Sequence, residues 1–169
     1  SLIDGGCGVI SQHSDNVAPA TTAEKNGAFH VGYNNDMSTA APKASLTSPR
    51  IDWGIYMTYA TQCMIDGTPI SLDWSEGIAS GAAYLAPLNE AIIAEGTQDA
   101  IDAATAEIEG GMLIFSGHLM GADGNDAVIT DFDGNPVYTF DSDDSAFEES
   151  AEVSAPAFNA IIEGINVIE

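Results

Sequence analysis

An α/β fold, with a parallel sheet flanked by helices and a C-terminal hairpin and helix, is predicted by three features of this sequence. Short apolar runs alternate with helix-length amphipathic segments. Glycine, proline and amide-acid clusters punctuate the boundaries between them. The interval between the first two apolar runs holds a single helix, so those runs are expected to be parallel strands joined by a crossover.

Taken in order, "SLIDGG" reads as the last turn of a helix stopped by glycines, in a chain without an initiator Met. "CGVIS" (7–11) is a compact apolar run, expected to be a strand buried on both faces. "QHSDN" (12–16) follows as a loop, and "VAPATTAEKNG" as a short helix with Pro19 in its first turn and Gly27 closing it. "AFHVGY" (28–33) is the next strand, and "SLTSP" a further short one. A helix is expected from about Asp52 to Asp66, where Ile51, Ile55, Tyr59 and Cys63 recur every fourth residue and Gly67 with Pro69 stops it. "GAAYLAPLN" (81–89) is a strand candidate. "TQDAIDAATAEIEGG" is a helix with Thr97 as N-cap, Asp99 near the positive end of the helix dipole and Gly110-Gly111 as terminator. "MLIFSG" (112–117) reads as a strand and "VITDFDGNPVYTF" (128–140) as a hairpin turning at Asp133-Gly134. The final "APAFNAIIEGINVIE" is amphipathic.

Charge narrows the function classes. The 169 residues carry 26 Asp and Glu against Lys25, Lys43 and Arg50, a formal net charge of −23. Such a field repels nucleic acid and anionic membrane surfaces, which excludes both as partners. Hydrophobic residues at 45% still suffice for a packed core. Cys7 and Cys63 form neither a CxxC nor a metal-ligand spacing and are expected to be buried free thiols. No apolar run approaches the ~18 residues of a membrane span.

In an open parallel sheet, ligands bind beyond the carboxyl ends of the strands. Strand 7–11 ends in Gln12, His13, Ser14 and Asp15; strand 28–33 ends in Asn34, Asn35 and Asp36. Parallel pairing would put both polar clusters on one edge, suited to a ligand rich in hydroxyls and ring nitrogens, with Trp53 as a flat apolar surface. The competing reading is structural: Asp15 or Asn16 caps a helix, and Asn34 and Asp36 make turn contacts. His13 lacks an accompanying nucleophile motif, and His13, His30 and His118 share no metal-ligand spacing. "DFDGNP" departs from the calcium-loop pattern and fits a turn. No glycine-rich phosphate cradle occurs, so no cofactor is expected.

The linked stretches "GVISQHSDNVAPATTAEKNG", "VGYNNDMSTAAPKASLTSPRIDWGIY", "DGTP", "GAAYLAPLN" and "FSGHL" resemble, in that order, the basic membrane protein (BMP) family of ABC-transporter substrate-binding lipoproteins, which bind purine nucleosides and related compounds. The resemblance covers nearly all of the chain and ends in "FNAIIEGINVIE", which resembles the family's terminal helix. It implies a type I periplasmic-binding-protein fold, with two α/β lobes, a three-strand hinge and a ligand clamped between the lobes. This chain resembles the C-terminal half of such a protein. On that template residues 1–48 belong to the C-terminal lobe with its ligand-facing loops, 49–80 to a hinge-proximal helix and connection, and 81–169 largely to the other lobe and hinge.

The resemblance implies that the "QHSD" and "NND" loops face the cleft and that "LTSPRIDWG" lies near the hinge crossover, with a purine nucleoside or base as ligand; with Trp53 from the residue pattern, the expected ligand contacts are Gln12, His13, Ser14, Asp15, Asn34, Asp36 and Trp53. The implied partners are an ABC-transporter permease and the N-terminal half of the same protein. The implied location is the cell surface or periplasm, with a lipid anchor on an N-terminal segment absent from this chain. Several family members carry a Lys shortly after the "LTS" motif, where this sequence has Pro49, Arg50 and Ile51, with Trp53 beyond. Two other functions stay open: a ligand-sensing regulatory domain of the same fold, and a hydrolase using His13 and Asp15.

Overall fold

The structure, a computed structural model, describes residues 2–147 and 158–168. They form two compact units, Ser1–Ser71 with Glu76–Glu109, and Leu72–Ser75 with Gly110–Glu169.

The first unit opens with the helix-end geometry expected of "SLIDGG". The Gly6 N–H donates to the Ile3 carbonyl and the Cys7 N–H to the Leu2 carbonyl, with Gly6 left-handed at φ +95°. That pair of bonds is the Schellman pattern, and it needs a residue without Cβ at the reversed position. Strand β1 (Val9–Ser11) then leads through a loop to helix α1 (Ala18–Lys25), and on to β2 (Phe29–Val31) and β3 (Ser45–Thr47). All three strands are parallel, in the order β1-β2-β3. Helix α1 starts with proline in its first turn and ends at Asn26 with Gly27 left-handed at φ +73°.

Small side chains let α1 sit close to the sheet. Ala20 and Ala23 on the helix pack with Ala28, Met37, Ala41 and Ala44, and Ile3 and Ile10 lie against this cluster. Only one sheet face is sealed in this way. Val9 and Phe29, adjacent on the opposite face, are 52% and 42% exposed, so β1 is not the doubly buried strand that its apolar run predicts. The pattern 7–11 could not reveal this, because a one-sided strand bordered by Cys and Gly looks equally apolar. Cys7 is exposed and Cys63 half-buried; both thiols are free, which corrects the expectation of burial for Cys7.

Beyond a bend at the buried Ser48, β4 (Pro49–Ile51) pairs antiparallel with β5 (Ala83–Leu85). Helix α2 (Trp53–Asp66) follows β4 at once. The Asp52 carboxylate accepts the Gly54 N–H at 2.8 Å as N-cap, and Gly67 closes the helix at φ +66°. Its stripe of Ile55, Tyr59 and Cys63 is the half-buried side, but no residue of α2 is fully buried. Helix α3 (Thr97–Glu109) carries Asp99 in its first turn as expected. Thr97, however, is inside the helix: its hydroxyl donates to the Ala94 carbonyl, and the Gly96 carbonyl accepts the first helical N–H, from Ala100. The N-cap role predicted for Thr97 therefore falls to the position before it.

In the second unit, β6 (Val128–Thr130) and β7 (Pro136–Thr139) form the expected hairpin, with Gly134 left-handed at φ +85°. Asp131 builds the turn: its carboxylate accepts the Asp133 and Asn135 N–H groups and the Asn135 amide. Ala127, Ile129, Phe140 and Phe147 form the core, bordered by Phe115 and Phe158, whose rings stack at 4.3 Å. The strand predicted at 112–117 is reduced to a single bridge, Ser116 to Ala146. Its residues alternate in exposure, but pairing needs a second strand in register, and the bridge extends no further than its two flanking bonds, Gly117 N–H to the Ser145 carbonyl and Phe147 N–H to the Phe115 carbonyl. The expected C-terminal helix is also corrected. Residues 158–168 are non-helical, bridging Gly121 through Ile162 and turning at Gly164 (φ +86°), while 148–157 lie outside the described residues. No helix among the described residues is long and apolar enough to cross a membrane.

Candidate functional site

Parallel pairing of β1 and β2 places the loops after them on one sheet edge, as the sequence predicts. There, with β4 and the start of α2, they border an open cavity of about 400 Å³, lined by Asp15, Asn16, Val17, Tyr33, Asn34, Asn35, Met37, Ile51 and Trp53. That volume lies within the roughly 300–1,000 Å³ range of small-molecule sites. Its lining mixes one carboxylate and three side-chain amides with two aromatic rings.

Local geometry explains how each group gets there. Asn34 is the one described non-glycine residue with positive φ, at 59°. Asparagine tolerates this left-handed conformation, which turns the chain sharply out of β2. Its N–H donates to the Pro49 carbonyl and its side-chain oxygen accepts the Ile51 N–H, so Asn34 ties the end of β2 to β4. Trp53 is the first residue of α2, held by the Asp52 cap and 59% exposed beside the cavity. Tyr33 is in contact with the His13 ring, centroids 4.1 Å apart and tilted by 48°.

Of the seven residues expected to bind ligand, Asp15, Asn34 and Trp53 line the cavity. The other four are placed around it. Gln12 spans the loop from beneath: its amide donates to the Ser14 and Asn16 carbonyls at 2.6 and 2.9 Å. Ser14 gives its carbonyl to Gln12 and its hydroxyl oxygen to the Asn16 amide. His13 packs on Tyr33. Asp36 caps the following turn, accepting the Ser38 N–H at 2.8 Å; this backbone donor holds its carboxyl below the ordinary value, with Arg50 adding a smaller pull. Asn34 thus has both a cavity position and a turn contact, whereas Asp36 makes the turn contact that the competing reading assigns it.

Asn16, Val17, Tyr33, Asn35, Met37 and Ile51 complete the lining but were not singled out as ligand contacts by the sequence. Asn35 stood inside the polar cluster, so a signal for it existed. Met37 and Ile51 reach the cavity only through the fold of the loop and the β3–β4 bend.

A second cavity of about 440 Å³ lies in the second unit, lined by residues 121–123, 125–128 and 159–161. It is slightly larger, but no aromatic ring borders it and its carboxylates are engaged. Asp123 accepts from Asn125, and Asp126 pairs at 2.7 Å with His118, whose pKa is raised mainly by that bond. The cavity at the sheet edge is chemically the better receptor. Among the described residues no group of three or more His, Cys, Asp or Glu is placed to hold a metal ion.

No protein-family model matches the chain. Over 127 residues, 75% of its length, the chain is 29% identical to a protein of Brucella abortus (strain 2308) named as purine-binding. The matched stretch is 36% of that relative's length, so the chain spans little more than a third of it. The relative is named for binding a molecule rather than for a reaction.

Proposed function

We propose that this chain is the ligand-binding part of an extracytoplasmic solute-binding protein that takes a purine base or nucleoside and delivers it to an ABC-transporter permease. One observation carries the reading: amides and a carboxylate converge with Trp53 and Tyr33 on one cavity at the carboxyl edge of parallel strands. A purine has a large flat face and an edge of alternating donors and acceptors. An aromatic ring takes the face, with stacking worth about 1–3 kcal/mol per base. Asparagine amides match the edge, since one amide both donates to and accepts from an adenine edge. Similarity to a purine-binding protein supports the same ligand class. In this reading the cavity is one wall of a cleft. The facing wall comes from the part of such a protein that the alignment does not span, and the whole is held at the cell surface or in the periplasm by a lipid anchor.

Calorimetric titration with adenine, adenosine, guanosine and matched pyrimidines tests the proposal. Purines are expected to bind and to be recovered unchanged, pyrimidines more weakly. Trp53→Ala is expected to weaken binding about 5- to 150-fold, the equivalent of one lost stacking contact. Equal affinity for purines and pyrimidines, or no effect of Trp53→Ala, would overturn it; a chemically altered ligand would favour the hydrolase.

A further inference from the structure

The loop that carries Asp15, Asn16 and Val17 to the cavity has no strand of its own to hold it. Its support comes from inside the sheet. His30, in the middle of β2, is fully buried, and its Nε2 lies 2.7 Å from the Gln12 side-chain oxygen. Gln12 follows Ile10 by two residues, and Ile10 is the β1 partner of His30, so all three side chains share one sheet face.

The hydrogen-bond pattern fixes every proton in this link. The Gln12 nitrogen has two hydrogens, and both go to carbonyl oxygens, those of Ser14 and Asn16. The amide therefore faces His30 with its oxygen, an acceptor only. His30 must then carry its proton on Nε2 and leave Nδ1 bare. Nδ1 is buried and without a hydrogen-bond partner among the described residues. A second proton there would be buried with no acceptor, and burial alone lowers the His30 pKa. The neutral ring with hydrogen on Nε2 is the form the interior holds.

We infer that His30 is a positioning residue for the ligand-facing loop: its Nε2–H orients the Gln12 amide, which in turn clamps the Ser14 and Asn16 carbonyls and sets where Asp15 and Asn16 face the cavity. The inference rests on the cavity being the ligand site, as proposed above. Without the ring N–H, the Gln12 amide loses the contact that distinguishes its oxygen end from its nitrogen end. It is then free to rotate and release one or both carbonyls. Asn16 would still be tied to α1 through its bond with the Ala18 N–H, so the effect should centre on residues 13–16.

Three variants make the test: His30→Leu removes the donor, His30→Gln retains an N–H donor, and Gln12→Met removes the clamp with His30 intact. Two measurements are made on each: amide hydrogen exchange of residues 13–17, and the dissociation constant for adenosine. In the wild type, nitrogen-15 spectra of the ring should show protonated Nε2 and bare Nδ1. His30→Leu and Gln12→Met are expected to speed exchange in the loop and to weaken adenosine binding about 5- to 10-fold, as for one lost hydrogen bond of about 1 kcal/mol. His30→Gln is expected to restore both towards wild type. If the loop exchanges normally in His30→Leu and Gln12→Met, or if the wild-type ring carries its proton on Nδ1, the inference is overturned while the binding site stands. If wild-type protein binds no purine, the site reading fails, and loop exchange still decides the role of His30. Should His30→Leu not fold, Gln12→Met and the ring spectrum carry the test.

Discussion

Gly32, directly before the tyrosine and asparagines of the cavity, is held without a side chain by its neighbours. A Cβ built there would overlap the Ser48 hydroxyl and lie 3.1 Å from Ser48 Cβ and 3.2 Å from Met37 Cγ. Ordinary contacts are a few tenths of an ångström longer. Ser48 is fully buried and Met37 is 5% exposed, so neither can swing into solvent. Gly32→Ala should therefore act as overpacking and cost about 1–3 kcal/mol. Ser48→Ala alone should be near neutral, because the Ser48 hydroxyl is buried without a hydrogen-bond partner among the described residues. In the double variant Gly32→Ala/Ser48→Ala the worst overlap disappears and only the two tight carbon contacts remain, so it should recover about half or more of the loss. Urea unfolding followed by Trp53 fluorescence, in a Trp74→Phe background, measures all four proteins. At a slope of about 1–3 kcal/mol per molar urea, a 2 kcal/mol loss moves the midpoint by roughly 1 M. Gly32→Ala within about 0.3 kcal/mol of wild type, or a double variant no more stable than Gly32→Ala, would refute the packing argument.

Three further outcomes follow from the same reasoning. Phe140→Ala empties a fully buried ring position in the core of the second unit and should cost about 3–5 kcal/mol in unfolding of that unit, read by exchange of the β6–β7 amides. Asp52→Ala removes the α2 cap and should cost about 1 kcal/mol by urea unfolding, while Asp52→Asn keeps most of it. Asp131 and Asp123 are both held below their ordinary pKa, first by the asparagine side chains they accept from. A carboxyl depressed in the folded state stabilises it fully above its unfolded pKa, and that contribution fades as pH falls through the folded value. Acid titration should therefore loosen the 131–135 turn below about pH 4, as read by hydrogen exchange, and Asp131→Ala should remove that pH dependence.

The chain's acidity makes salt a further lever. With 26 acidic residues against three basic ones, like charges repel in the folded state, and raising salt from 0.1 to 1 M shortens the screening length from about 10 to about 3 Å. The urea midpoint should rise over that range; a falling midpoint would show that specific ion pairs outweigh the repulsion.

How much was legible in the sequence differs by element. β1, α1 and β2 were readable because each has its own punctuation: glycine stops, a proline at the helix start, an apolar run of strand length. The parallel edge, and with it the meeting of the two polar loops, followed from the length of a single crossover. Three members of the predicted stripe, Ile55, Tyr59 and Cys63, mark the inner side of α2, but Ile51 ends β4 and is exposed, and periodicity does not tell where the helix starts or how deeply its side is covered. Residues 112–117 form an apolar run of strand length yet have one bridging partner, and pairing is a property of two segments. The segment 158–168 is apolar at helical intervals, but Ile162 spends its backbone on a bridge to Gly121 and Gly164 turns the chain. In the site, Asp15, Asn34 and Trp53 were visible as polar or aromatic groups after strands. The coupling of His30 to Gln12 was not, because it joins residues 18 apart through a register that only the folded sheet defines.

Titration of the nitrogen-15-labelled chain with adenosine, followed residue by residue in amide spectra, tests the proposed function most directly. An open cavity with one wall leaves part of the ligand wet, so saturation is expected only at about 0.1 to several millimolar. The largest shifts should fall on residues 15–17, 33–37 and 51–53, with the Trp53 indole N–H among them. No shift up to several millimolar adenosine, or shifts confined to residues 121–128 and 159–161, would contradict a purine site at the sheet edge.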